Sequence, residues 1–467
     1  MKKLLFLALI AIMSFPIYAQ ETVELSVTKE LSEAAKDYDI VEYIGEGVWS
    51  IQKKGIRSTY NIVGDEAISV RSPYGLINSK GQVITPCYDN VSTFSEGLLK
   101  VKKDGCYGFI DKDGNEVIPC QFTDCEDFTK GIGLAKVCKD KKEGCIDRKG
   151  NFIIPCVYDG ITIYQEGIIK VYKDNKSGIV DINGTEILPC MDVSIKDFHE
   201  GMAQATIDGK ICYIDKAGKQ ISLNSDWDYL NDFCEGLAVV GNYGSHGYID
   251  KNGTIVIPIK YEEADDFHDG LARVRKEGLW GYIDKKGNEV IPCTYKDWDY
   301  TLDEFKDGLA TICHNNECGL IDKTGKIILP YTYNSINDFH EGMAVVFKDK
   351  KYGYIDQTGK LVIPCVYDSG KGFHEGMAIV KKDNKYGFVN KTGKLVVPCV
   401  YIVAREFQNG MGVVKKDNKY GYVDKTGKLI VPCIYDYAGN FHEGLAIVKK
   451  NNLYGLIDKT GKCTLDY

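Results

Sequence analysis

The sequence predicts an all-β fold: a tandem array of twelve three-stranded antiparallel units of about 34 residues each. Three observations predict it. The first is a glycine, usually preceded by tyrosine, that recurs at Gly75, Gly108, Gly144, Gly178, Gly247, Gly281, Gly319, Gly353, Gly387, Gly421 and Gly455, with Cys212 in its place once. The second is rigid spacing inside each copy. An upstream glycine precedes the anchor by 11 residues, a turn glycine follows it by 6, and a proline comes 5 later in the ten copies that keep one. Only the run from proline to the next copy varies, between 11 and 16 residues. A hairpin cannot absorb one extra residue without turning every side chain to the other face. The fixed stretch therefore reads as paired strands, and the variable one as a surface connection. The third is composition: 49 Gly and 31 Tyr in 467 residues suit strands and turns.

Taken in order, residues 1–19 read as a secretory leader. Lys2 and Lys3 are followed by an apolar run from Leu4 to Met13, with Ala19 at the cut. That run is short for a membrane span, and no later segment is apolar enough to make one. The expectation is an exported protein, in the periplasm, on the outer surface or secreted. Residues 20–63 form an N-terminal segment, a cap or a degenerate repeat, in which 28–40 alone carries a helical pattern. The repeats then fill 64–467.

Within one copy, "GMAIVKK" (376–382) alternates and reads as a strand. "DNK" turns the chain, and "YGFVN" (386–390) is the second strand, its glycine marking a close backbone approach. "NKTGK" (390–394) is a turn. Its first position is Asp in ten copies and Asn in two, an acceptor for backbone N–H groups two residues on. "LVVP" (395–398) is the third strand, which the proline should end. A Tyr after the proline (Tyr367, Tyr401, Tyr435) and a Phe before the next Glu-Gly (Phe339, Phe441) are expected as one core pair per unit.

The pattern F-x-E-G-L-A-x-V-K…Y-G-Y-I-D-K-x-G-K-x-V-I-P-x-x-Y-D resembles the WG-repeat family of bacterial β repeats. The Trp-Gly pair behind that name occurs once, at Trp280–Gly281, with Tyr in the other well-kept copies. The resemblance implies an exported or surface-exposed repeat scaffold and no settled activity. Two architectures fit. An open superhelix of stacked units is the expectation. The alternative is one or two β-propellers, which usually have about 4–8 four-stranded blades.

The net charge is −8 with no basic block, so nucleic acid is not an expected partner. His199, His268, His340, His374 and His442 share one register, but without close ligand pairs they imply no metal. Eight cysteines follow the repeat proline and read as small apolar fillers. Carboxylates recur with the unit, as at Glu96, Glu200, Glu341, Glu375 and Glu443, which suits a repeated structural bond better than catalysis. No catalytic residue and no cofactor is expected. The pattern breaks at "DWDY", which occurs twice: Asp226, Trp227 and Asp228, then Asp297, Trp298, Asp299 and Tyr300. Aromatic rings flanked by carboxylates suit contact with a glycan or a protein. The opposing reading is that each Trp only fills space between units. The functional expectation is a non-enzymatic binding or scaffold protein of the cell envelope; the alternative is a purely structural envelope protein.

Overall fold

The computed structural model describes residues 27–53, 59–63, 66–70, 74–78, 80–221, 223, 227–296 and 300–465. The expected leader, with Asp226, Asp297, Trp298 and Asp299, lies outside them. The fold is all-β, and the tandem units are there, but with a fourth strand. Among the described residues eleven sheets have four antiparallel strands, and the last has three. The extra strand comes from the variable stretch. It is often only two residues long, as in Asp124–Cys125, Ser369–Gly370 and Val403–Ala404, too short to leave a period in the sequence.

Proline does not end its strand. Leu395–Tyr401 runs through Pro398. Its register slips between Phe388↔Val397 and Tyr386↔Tyr401, a bulge at the sheet edge, where a missing N–H costs no ladder bond. The bulge folds over the anchor glycine. A Cβ on Gly387 would sit 2.4 Å from the Val397 carbonyl oxygen, so only glycine fits. The turn acceptors bond as expected: Asp424 Oδ1 accepts from the N–H groups of Thr426 at 2.9 Å and Lys428 at 3.0 Å.

The first unit begins earlier than its spacing suggested. Tyr38–Gly45 and Val48–Lys53 join Tyr74–Asn78 and Val83–Tyr88 in one sheet. A hairpin, Thr59–Val63 with Glu66–Val70, is inserted between its second and third strands. The Glu-Gly pair of this unit is Glu46–Gly47, with φ of 50° and 72°, matching Glu96–Gly97 at 53° and 79°.

The open superhelix is replaced by the ring-shaped, propeller-like alternative. Buried side chains form clusters that each bridge two successive sheets, from Leu76 and Val101 between sheets 1 and 2 to Tyr422 and Phe441 between sheets 11 and 12. A further cluster joins the two ends: Leu31, Ile40, Trp49 and Ile51 pack on Leu445 and Leu456. Each sheet has two apolar faces, so an open array would leave one bare at each end; closure buries both. Helix α1 (Lys29–Ala34), capped by Thr28, seals this seam with Leu31 fully buried. Val27 N–H donates to Asp458 Oδ2 at 3.3 Å, and Lys462 Nζ donates to the Val27 carbonyl at 2.7 Å.

The Tyr after the proline and the recurrent Phe are core, as expected, in one cluster per junction, as Tyr261 with Phe267 and Tyr435 with Phe441; the Phe also makes a ring contact. Its partner is the aromatic after the anchor glycine of the preceding sheet, as in Tyr248–Phe267, Phe388–Phe407 and Tyr422–Phe441, all with ring centroids 4.9 Å apart. The Tyr hydroxyl then donates across the junction, from Tyr422 to the Gly439 carbonyl at 2.8 Å. Cysteines after the proline, such as Cys365 and Cys433, are half-buried against these clusters. One disulfide, Cys313–Cys318, ties directly opposed residues of a single hairpin.

Candidate binding site

The repeated carboxylates clasp neighbouring sheets. Glu375 sits in a left-handed turn (φ 49°) and reaches forward one unit. Its Oε1 accepts from Asn409 N–H and its Oε2 from Gly410 N–H, both at 2.8 Å, and Lys425 Nζ lies 3.1 Å from Oε2. Glu166, Glu200, Glu235 and Glu341 each accept from a backbone N–H of the next unit in the same way. Burial alone would raise the Glu375 carboxyl; the two N–H groups and Lys425 outweigh it and hold it below the usual carboxylate range. These acids are occupied in holding the ring. Three histidines of the shared register are engaged likewise: His374 Nδ1 lies 3.0 Å from the Phe407 carbonyl, His199 Nε2 3.5 Å from Asp232 Oδ2, and His268 Nε2 3.4 Å from Glu304 Oε2. Among the described residues no three metal-ligating side chains gather.

Function is therefore sought where the repeat deviates, and the first "DWDY" stretch leads to a groove. Trp227 is half-buried and packs on the cluster between sheets 5 and 6, beside Leu230 and Phe233. Asp228 is exposed and lines an open groove of about 520 Å³ with Tyr229, Asn242, Tyr243, His246, Glu262 and Glu263. The floor is ordered by sheet 6. Tyr229 pairs with Gly241, and Gly241 with His246 across the hairpin. The Tyr229 ring meets His246 edge-on at 5.1 Å, and His246 Nδ1 lies 3.0 Å from the Glu262 carbonyl. Tyr243 projects from the hairpin tip, 103% exposed. The wall carboxylates are fixed by sheet 7: Glu263 pairs with Arg275 Nη1 at 2.6 Å, and Glu262 accepts from Gly278 N–H at 3.0 Å. A solvated aromatic ring beside fixed carboxylates can stack on the apolar face of a sugar while accepting from its hydroxyls.

Of the second stretch, Tyr300 begins a short strand, Tyr300–Leu302. Residues just after it, Leu302 to Lys306, line a second cavity of about 610 Å³ with His268 and Arg273. Sequence reasoning missed Tyr229, Tyr243 and His246. Tyr243 had a signal: at that turn position the aligned copies carry a polar residue, such as Asp349, Asp383 or Asp417.

A family profile described as WG containing repeat matches ten stretches between residues 74 and 454, skipping 211–246, where Cys212 replaces the anchor and the proline is missing. No curated protein matches the chain. Solved structures of similar shape include a eukaryotic initiation factor (9% identity, 65% of this chain and 95% of that one, TM-score 0.34). Another is Hsv2p of Kluyveromyces lactis (11% identity, 49% and 91%, TM-score 0.25). A third is the extracellular domain of a putative hybrid two component system from B. thetaiotaomicron (10% identity, 91% and 81%, TM-score 0.20).

Proposed function

This chain belongs to the WG containing repeat family, and on that premise we propose that it is an exported, non-enzymatic binding scaffold. Its ring supplies rigidity, and the departures from the repeat supply contact with a glycan. The groove on sheet 6 carries this reading: Tyr243 and Tyr229 offer ring faces, and Asp228, Glu262 and Glu263 offer acceptors at its edge. Nothing in the repeat itself requires a tyrosine at the hairpin tip.

A second contact mode is favoured by the proline-bearing edge strands, which expose paired aliphatics at equivalent places: Leu361 and Val366, Leu395 and Val400, Leu429 and Ile434. A row of equal apolar steps along sheet edges suits multivalent contact with a protein of the cell envelope.

A glycan array probed with the purified chain tests the first mode. Binding that is lost in Tyr243→Ala, with circular dichroism unchanged, supports it. Silence across the array, together with no partner in a pull-down from the native envelope, favours a purely structural protein instead.

A further inference from the structure

We propose that the ring seam holds a binding site for a small zwitterion of the α-amino-acid class, independent of the groove on sheet 6. A cavity of about 400 Å³ lies where the last sheet meets the first. That is within the ~300–1,000 Å³ of ordinary small-molecule sites. Arg405 of sheet 11, Tyr437, Asn440 and His442 of sheet 12, and Glu42 and Tyr43 of sheet 1 all line it.

Two features of these residues call for a ligand. Among the described residues Arg405 has no carboxylate partner. Its Nη1 donates only to the Ala438 carbonyl at 2.9 Å, and its guanidinium lies over the Tyr420 and Tyr437 rings at 5.5 and 5.9 Å. The remaining N–H groups are left for an anion. The exposed carboxylate of Glu42 lines the same cavity and, among the described residues, makes no ion pair with Arg405 or any other cation.

The lining thus offers one positive group and one negative group. Burial lowers the His442 pKa, with Glu443 acting in the opposite sense, so the ring adds no full charge near neutral pH. A simple anion would satisfy Arg405 and meet repulsion from Glu42. A simple amine would do the reverse. A molecule carrying both an ammonium and a carboxylate answers both: carboxylate on Arg405, ammonium on Glu42. Its side chain then lies against Tyr437 and the stacked pair Tyr43–His442, whose centroids are 5.1 Å apart.

The test is isothermal titration calorimetry on the full chain with each common L-amino acid, and with acetate, methylamine and glucose as single-feature probes. The expected result is that at least one amino acid binds. Acetate and methylamine should then bind at least about tenfold more weakly, a difference of about 1.4 kcal/mol. Arg405→Gln and Glu42→Gln should each weaken the amino acid by at least about tenfold. Because Glu42 is exposed, Glu42→Gln keeps the fold and decides the matter if Arg405→Gln loosens the seam; Tyr243→Ala should leave this binding unchanged. The proposal is overturned if no amino acid binds, if Glu42→Gln binds as tightly as the native chain, or if acetate binds as tightly as the best amino acid.

Discussion

Two kinds of junction hold this ring, and they solve one packing problem in different ways. Between sheets 11 and 12 the bulk is on the earlier sheet: Tyr422 packs on Phe441 across from the small Ala446. At the seam the last sheet has Leu456 where Tyr422 would be, and the first sheet has Trp49 where most others have Ala. Volume has moved across the interface while staying within it. The clasp changes in parallel. Elsewhere a Glu accepts directly from the next unit's Gly N–H, as Glu375 does from Gly410. At the seam Glu443 bonds the Tyr43 hydroxyl, and Gly47 N–H donates to that same oxygen at 3.4 Å. One phenol is inserted into an otherwise identical link. Repeats can therefore be alike along the chain and still meet specifically at the ends, because the closing pair is complementary only to itself.

The largest test of this contrast is Trp49→Ala. It leaves a cavity at the seam and should cost about 3–5 kcal/mol in urea unfolding, with small-angle scattering showing an opened ring. A closed ring of unchanged stability would refute the idea that Trp49 replaces the aromatic missing at Leu456.

The two kinds of glutamate come next. Glu375→Gln should destabilise by about 1–2 kcal/mol at neutral pH, since the amide cannot accept at both oxygens. The sign in pH follows from its lowered pKa: the stabilisation is present above the unfolded value and lost as pH falls through the folded one. Glu46, beside the seam, is the opposite case. Burial raises its pKa, Lys112 partly offsets this, and Glu443 adds to the rise. Its contribution is favourable at low pH and is lost as pH rises through the folded value, so Glu46→Gln should raise the neutral-pH melting temperature. Equal effects from the two variants would erase the distinction.

Tyr422→Phe removes one cross-junction hydrogen bond and should cost about 1 kcal/mol, read as a small drop in the urea midpoint. The smallest effect concerns His442. Its pKa lies below the ordinary 6.5. The unfolded chain therefore takes up the proton first, and stability is lost as pH falls below 6.5. Hydrogen-exchange protection factors, corrected for the intrinsic pH dependence, should fall at 445–447 on mild acidification before they fall at 411–413.

Much of the unit could be read from the chain. The anchor glycine, the Asp turn and the strand pair between them are local, and each leaves a residue at a fixed spacing. Two-residue strands such as Ser369–Gly370 leave none, because alternation needs more than one step. Pro398 misled for a related reason: a proline is excluded from a central ladder but not from a bulged edge. The first unit was hidden because an inserted hairpin separates Gly47 from Gly75. Of the candidate groove, Asp228 was legible as a break in the wording, whereas Trp227 of the same stretch packs on the core. The contribution of Tyr243 and Glu262 to the groove was not.

What the sequence alone determined is the repeated sheet, because turn chemistry and strand register are settled by neighbours a few residues apart. What the tertiary structure decided is closure, and with it the meeting of Arg405 and Glu42 around one cavity. Those residues are brought together by the summed rotation of twelve junctions, a quantity that no single junction reveals.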